Sequence, residues 1–243
     1  MKSGFGQICP VAVACEVFAR PWTPIILREL LAGSRHFNEI HRGVPLMSRA
    51  LLVDRLRSLE AHGVVARIPA PSGRGRSYEL TDSGREFKAV IEGLGEWGQR
   101  WTVRVEPRNL NAGFLMWNLR RRIALERLPE RRIVVRFEFV GVPAGSSGPR
   151  TFWLLLDRTQ AELCIKDPGF DVDLCVHADL ATLAGVWLGD VTVDQAVKSS
   201  KLKLVGSSEL VRAFPEWLML SIFAKVPRPP SAAARKAVKP QAS

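Results

Sequence analysis

Residues 47–84 read MSRALLVDRLRSLEAHGVVARIPAPSGRGRSYELTDSG, and this stretch decides the fold of the first part of the chain. Apolar residues at helical spacing predict a helix with one buried face, and these residues are Leu52, Leu56, Leu59 and Val64. Ser48 suits the N-cap of that helix because its hydroxyl can accept a free backbone N–H, and His62 with Gly63 ends it. Two short strands follow, so the order is helix, strand, polar turn, strand.

The arc of this helix that faces away from the core carries short or basic side chains. We expect five of them to lie against base edges: Arg49, Ala50, Val53, Asp54 and Arg57. Such an arc fits the major groove of double-stranded DNA, where arginine pairs with guanine and a carboxylate accepts from cytosine. Asp54 has two candidate roles, since it can accept from cytosine or hold Arg57 in place. Arg55 lies beside this arc and would hold a phosphate.

The segments before this helix complete a helix-turn-helix. The apolar spacing predicts helices over residues 10–19, 22–31 and 36–42, and Gly33 and Ser34 supply the turn between the second and the third. We expect Ser34, Arg35 and His36 at this turn to contact phosphates or the minor groove, and Ser48, at the start of the reading helix, to belong to the DNA-binding surface.

The segments after this helix predict a wing. Strands over residues 64–70 and 77–80 flank a tip of turn residues, from which Arg74 and Arg76 would point. These guanidinium groups would lie along the phosphate backbone or enter the minor groove, where the negative potential attracts them. A long helix to about Trp101 follows, and it is longer than a small domain needs.

Positive charge is concentrated around this segment. The chain carries 35 Lys plus Arg against 24 Asp plus Glu, a net charge of +11, which favours a polyanionic partner or an anionic membrane surface. Residues 42–76 hold seven arginines against two acidic residues, whereas residues 133–226 hold nine basic against eleven acidic residues. Any single arginine here can simply be a solvated surface residue, but a cluster of arginines on a predicted helix and wing favours a DNA-binding surface.

Several motifs together resemble the HxlR-type winged helix-turn-helix transcriptional regulators. They are CPVAVACEVFARPWTPIILREL from Cys9, GSRHFNEIHRGVP from Gly33, SRALLVDRLRSLEAHGVV from Ser48 and SYELTDSGREF from Ser77. The resemblance implies a homodimer joined through the first and last helices of this domain, and a role in switching transcription. It also implies an alternative in which Cys9, followed by Pro10 as in the family, serves as an oxidant sensor.

The second half of the chain has a different pattern. Polar residues 105–112 predict a hinge, and the strand-like runs that follow are residues 133–140, 152–156, 161–165, 172–176 and 201–205, with helices over 114–128 and 178–188. We therefore expect an α+β protein with a domain at residues 1–104, a second domain at 113–226 and a disordered basic tail at 227–243.

The segment FDVDLCVHADLATLAGVWLGDVTVDQAVKSSKLKLVGSSELVRAF, from Phe170, resembles sterol carrier protein 2 domains. The resemblance implies an α+β layer around an apolar tunnel for a lipid or another apolar small molecule. The residues expected to line it are Trp117, Phe137, Phe139, Trp153, Trp187, Phe214, Trp217 and Leu220. As alternatives, these aromatic residues form an ordinary core, or the domain only extends the dimer interface and residues 120–122 add phosphate contacts.

Other function classes find little support in the residues. The four cysteines and four histidines form no cluster at metal-ligand spacing and no catalytic constellation, so we expect no metal, no cofactor and no enzyme. The apolar runs are too short to span a bilayer, and no leader precedes Cys9, which favours a cytoplasmic protein. A stand-alone lipid carrier is the competing class, but it does not account for residues 43–80.

Overall fold

The computed structural model describes residues 4–70, 75–102, 104–146 and 148–229. The chain forms two compact units, residues 1–95 and 96–243, and mixes helices with sheets in both. Within the described residues no single helix is long and apolar enough to cross a membrane, although the first two helices together, bent by 80°, reach that length and composition.

The first unit is a winged helix-turn-helix. Its helices are α1 (Pro10–Phe18), α2 (Thr23–Leu31), α3 (Phe37–Gly43), α4 (Arg49–Ala61) and α5 (Asp82–Trp101), and its strands are β1 (Val65–Pro69) and β2 (Arg76–Leu80). The expected element order is confirmed, with boundaries that differ by one or two residues. The last turns of α5 extend past residue 95 into the second unit.

Helix α4 forms where the apolar spacing predicts it. The hydroxyl of Ser48 accepts a hydrogen bond from the backbone N–H of Leu51 at 3.3 Å, which caps the first turn. One face of the helix is buried in the core of the first unit, through Leu52, Leu56 and Leu59. That burial removes three leucines from water and directs the opposite arc outward.

The wing is an antiparallel hairpin. Val65 pairs with Leu80 at its base, and Pro69 pairs with Arg76 near its tip. The backbone N–H of Tyr78 donates to the carbonyl of Arg35 at 2.8 Å, which joins the second strand to the turn before α3. Residues 71–74, which include Arg74, lie outside the described residues.

The second unit is a mixed sheet with helices. Its strands are β3 (Ile133–Val140), β4 (Thr151–Leu156), β5 (Ala161–Cys164), β6 (Leu174–Asp179) and β7 (Leu202–Gly206), in the order β5-β4-β3-β6-β7. Its helices are α6 (Ala112–Arg120), α7 (Leu180–Leu188), α8 (Val193–Lys198) and α9 (Ser208–Trp217). Strands β3 and β6 run parallel, and the other neighbours in the sheet run antiparallel.

The predicted helix over residues 114–128 is wrong beyond Arg120. The chain turns there because its backbone pairs with the segment after α9: the N–H of Ala124 donates to the carbonyl of Trp217, and the N–H of Met219 donates to the carbonyl of Arg122. Sequence periodicity favoured a continuous helix, since these partners lie about 95 residues further along the chain, where periodicity carries no information.

Strand β6 also differs from its prediction. The sequence predicts a strand over residues 172–176, whereas the strand covers Leu174–Asp179, and Leu174, Cys175 and Val176 are all buried. The strand lies inside the sheet between β3 and β7, so both of its edges are paired. Just before the strand, the Asp173 carboxylate accepts a hydrogen bond from the backbone N–H of Val134 on β3.

The second unit begins earlier in the chain and ends later than the sequence indicates. Gln99 is buried and its side chain donates to the carbonyl of Leu188, so the end of α5 belongs to this unit, before the expected hinge at 105–112. Arg228 pairs with Asp190 and donates to the carbonyl of Gln99, so the expected tail from residue 227 does not begin there. Residues 230–243 lie outside the described residues.

Candidate functional site

The outward arc of α4 is the candidate nucleic-acid interface. Ala50, Asp54 and Arg57 are exposed, and Val53 is half-buried beside them. These positions share one side of the helix because they are three or four residues apart, opposite the buried leucines. The structure therefore brings together four of the five residues expected at base edges, and the fifth, Arg49, is exposed at the edge of the arc.

Arg57 has the most freedom to reach a base. Its side chain is exposed, and the described part of the chain gives it no hydrogen bond and no ion pair. A guanidinium group in this state presents all its donors outward and can bind the two acceptors of guanine together.

Asp54 pairs with Arg55 and not with Arg57. The Asp54 carboxylate lies 2.8 Å from a terminal nitrogen of Arg55, whose Nε donates to the carbonyl of Pro21 at 3.3 Å. Arg55 is half-buried and ties α4 to the segment before α2. The suggestion that Asp54 holds Arg57 is therefore wrong, and Arg55 is partly committed to the fold.

Arg49 is oriented by its neighbours. A terminal nitrogen donates to the side-chain oxygen of Asn38 at 2.7 Å, and the guanidinium carbon lies 4.9 Å from the centre of the Phe37 ring. Both contacts come from α3, so they hold the guanidinium group at the joint between the two helices of the motif. An arginine that is fixed in this way loses little side-chain entropy when it binds a ligand.

The turn before α3 holds the residues expected to bind phosphate, but not all of them are accessible. Ser34 is buried, and its hydroxyl donates to the carboxylate of Glu29 at 3.3 Å. It therefore stabilises the fold, and the structure does not support its expected contact with phosphate. Arg35 and His36 are exposed. Their backbone N–H groups donate to the carboxylate of Glu39, at 2.8 and 3.0 Å, which orders the turn.

The wing presents Arg76 at the exposed start of β2. Arg74 lies outside the described residues, so its place at the tip stays a prediction. The arginines described on this surface are Arg35, Arg49, Arg57 and Arg76, all exposed. A polyanion is the ligand that such a set favours.

Helices α1 and α5 carry exposed apolar side chains. Helix α1 has no buried residue, and Val11 is 70% exposed. Helix α5 exposes Val90, Leu94, Trp97 and Trp101, each between 43% and 58%. These four recur at spacings of four, three and four, so they form one stripe along the helix. Cys9 is exposed immediately before α1.

Comparison with known proteins identifies the first unit. Residues 17–106 match the HxlR-like helix-turn-helix family. The uncharacterized HTH-type transcriptional regulator YvaP of Bacillus subtilis is 33% identical over 97 residues, which cover 39% of this chain and 90% of YvaP. An HTH-type transcriptional regulator of Methanothermobacter thermautotrophicus is 32% identical over 95 residues, covering 39% of this chain and 72% of that relative. This chain belongs to the HxlR-like helix-turn-helix family.

The HxlR-like family consists of DNA-binding regulators of transcription, which agrees with the exposed arc of α4. The solved structure of the redox regulator HypR in its reduced form aligns with 37% of this chain and 90% of that chain, at 31% identity and a TM-score of 0.35. The HxlR-like match ends at residue 106, so it leaves the five-stranded sheet of the second unit unassigned.

Most residues expected to line a ligand tunnel lie in a packed core. Five of them are at most 4% exposed, namely Trp117, Phe137, Phe139, Phe214 and Trp217. The rings of Phe137 and Phe214 lie 6.2 Å apart, as do those of Phe214 and Trp217. Trp153 and Trp187 are half-buried and Leu220 is 40% exposed. This placement favours the ordinary-core alternative for the five, since a ligand among them would displace packed side chains.

A groove of about 550 Å³ lies between α8, β7 and α9. Apolar side chains form much of its lining: Val193, Val197, Leu202, Leu204, Val211 and Pro215. Lys198, Lys203 and Arg212 are exposed at its rim, with Asp194 as the one acidic lining residue. An apolar lining beside three cations suits an amphipathic anion.

Sequence reasoning missed a polar cluster on the outer face of the sheet. Glu138 on β3 comes together with Cys175 and His177 on β6, and their ligand-type atoms all lie within 4.8 Å of one another. The residues were expected to be isolated, because Glu138 precedes Cys175 by 37 positions. The available signal was the Cys-x-His spacing, which places both side chains on one face of a strand.

Proposed function

We propose that this HxlR-like regulator binds DNA as a homodimer and that an amphipathic small molecule in the second unit changes its affinity for the operator. The DNA-binding part rests on the outward arc of α4. Arg49, Asp54 and Arg57 are exposed there, on a helix whose opposite face is buried. The side chains that read bases are Arg49, Ala50, Val53, Asp54 and Arg57, while Arg35, His36 and Arg76 bind phosphates.

The apolar stripe on α5 supports the homodimer. Soluble proteins rarely expose a row of large apolar side chains, and Leu94 and Trp97 are both about half exposed. A second copy of the chain would cover this stripe together with the exposed side chains of α1. A symmetric dimer would place its two α4 helices on half-sites about 34 Å apart, or a multiple of that distance.

The second unit serves as a sterol-carrier-like sensor in this proposal. Its mixed five-stranded sheet with helices agrees with an α+β carrier domain, and its groove offers an apolar lining with a cationic rim. A fatty acid matches both features of the groove. Its hydrocarbon chain would contact the apolar lining formed by Val197 and Leu204, and its carboxylate would pair with Lys203. The ligand then lies at the groove and not among the eight aromatic and aliphatic residues that the sequence suggested.

Selection of binding sites from random DNA with the full chain tests the DNA-binding part. We expect a nearly palindromic site and a symmetric footprint over both half-sites. An asymmetric footprint over a single site contradicts the homodimer, and equal affinity for all sequences contradicts base reading by α4.

Titration with palmitate, followed by native mass spectrometry, tests the sensor. We expect one palmitate for each chain and a change in operator affinity. The variant Lys203→Glu should bind palmitate more weakly, because it puts a negative charge at the rim, whereas Lys166→Glu, exposed elsewhere on this unit, serves as the charge-matched control. Palmitate binding with unchanged operator affinity would favour the carrier alternative over the sensor.

A further inference from the structure

The cluster on the outer face of the sheet has the connectivity of a proton relay. The Sγ of Cys175 lies 3.4 Å from Nε2 of His177, within hydrogen-bonding distance for sulfur. The other ring nitrogen of His177, Nδ1, lies 2.9 Å from Oε2 of Glu138. Thiol, imidazole and carboxylate therefore follow one another in the order that allows the imidazole to accept the thiol proton.

Arg136 adds positive charge beside the sulfur. A terminal nitrogen of its guanidinium group donates to Cys175 Sγ at 3.5 Å, and its Nε lies 2.8 Å from Oε1 of Glu138. The pKa of Arg136 is raised, first by its hydrogen bond to Cys175 and then by attraction to Cys175, Glu138 and Asp167, against the opposing effect of desolvation. The guanidinium group therefore lies within reach of negative charge that develops on the sulfur during a reaction.

The pairing of β3 with β6 holds these groups rigidly. Arg136 faces Cys175 and Glu138 faces His177 across two registered positions of the parallel ladder. Cys175 is only 7% exposed, while the side chains of Arg136, Glu138 and His177 are between 35% and 43% exposed. The sulfur thus lies just beneath a layer of polar side chains at the protein surface.

We propose that Cys175 is a nucleophilic thiol that adds to α,β-unsaturated carbonyl compounds. The sulfur forms a bond to the β-carbon, the carbon–carbon π bond breaks, and its electrons move to the carbonyl oxygen as an enolate. His177 Nε2 takes the thiol proton and returns it to the α-carbon, so nothing leaves and no oxidant is needed. Glu138 stabilises the charged imidazole, and Arg136 stabilises first the sulfur and then the enolate oxygen.

The arrangement fits this chemistry better than it fits a metal ion. The two ring nitrogens of His177 face different partners, Nε2 the sulfur and Nδ1 the carboxylate. The guanidinium group of Arg136 contacts both the sulfur and Glu138, which places a positive charge where a cation would have to lie.

Labelling of the full chain with N-ethylmaleimide, an α,β-unsaturated dicarbonyl, tests the proposal. Peptide mass spectrometry gives the rate for each cysteine. We expect the native protein to be modified at Cys175, and the rate there to fall at least about tenfold in His177→Gln and in Glu138→Gln. The rate at exposed Cys9 in the same samples should stay unchanged, which serves as the internal standard for the reagent.

The matched control is Glu162→Gln, the same substitution at an exposed position of the edge strand β5, which is separated from β3 by β4 and should leave the Cys175 rate unchanged. Equal Cys175 rates in the native protein and both relay variants would overturn the proposal. So would modification of Cys175 only after denaturation, or a zinc ion that purifies with the protein and is lost in Cys175→Ser.

Discussion

At the scale of single residues, the arginines of α4 differ in how exposed they are and in whether other residues of the chain bind them. Arg55 is half-buried and bound to Asp54 and to the carbonyl of Pro21, whereas Arg57, two positions later, is exposed. Both have the same charge, so composition could not separate them. The difference follows from helical geometry, because a shift of two positions moves a side chain by more than half a turn of the helix.

Replacing Arg57 by Ala should weaken binding to the operator by about 1–3 kcal/mol and leave binding to random DNA much less affected, since a bidentate contact to a base is lost. Competition electrophoresis with operator and random duplexes measures both affinities. The control is Lys88→Ala, which removes a charge from exposed α5. Equal losses on both duplexes would mean that Arg57 binds only phosphate.

Replacing Ser34 by Ala should lower the free energy of unfolding by about 1–3 kcal/mol, because the buried carboxylate of Glu29 loses a hydrogen bond. Urea denaturation measures this change. The affinity of the folded variant for DNA should stay as in the parent chain, and a selective loss of that affinity would restore Ser34 as a phosphate contact.

At the scale of elements, the wing and the reading helix have separate roles. The hairpin is joined to the turn before α3 through Tyr78 and Arg35, so it has a defined position within its own unit. Arg76 is exposed at the start of β2, and it is not part of the outward arc of α4. We therefore expect the wing to contribute affinity and α4 to contribute sequence preference.

Replacing Arg76 by Ala should weaken binding to operator and random DNA alike. It should also reduce the slope of the logarithm of affinity against the logarithm of salt concentration by about one, because one fewer counterion is released. Fluorescence anisotropy at several salt concentrations measures that slope. An unchanged slope would remove Arg76 from the interface.

At the scale of the whole molecule, charge and apolar surface are distributed unevenly. The net charge of +11 divides mainly between residues 42–76, which carry +5, and residues 96–132, which also carry +5, while residues 133–226 are slightly acidic. The stripe on α5 and the helix α1, which has no buried residue, expose apolar side chains that the proposed second copy of the chain would cover.

Replacing Leu94 by Glu should prevent the proposed dimer from forming, since each chain would place a charge within the apolar stripe. Sedimentation velocity measures the mass of the species in solution. Glu92→Gln, on the same helix, is the control for a change of charge nearby. A dimer that persists in Leu94→Glu would place the interface elsewhere.

Much of the first unit followed from the order of residues. The capping hydroxyl of Ser48, the buried leucines of α4 and the two strands of the wing all depend on neighbours within about a turn or a hairpin, and local spacing predicts such features well. The exposed arc of α4 followed from the same spacing.

Contacts between distant parts of the chain set the remaining features. The early end of α6 depends on backbone pairing with residues after α9, and the assignment of Ser34 to the core depends on Glu29 reaching it. Glu138 meets Cys175 and His177 only because β3 and β6 lie side by side and in parallel. Sequence spacing determined which face each side chain takes on its own element, and tertiary pairing alone decided which faces meet, because no local interaction sets the register of strands so far apart.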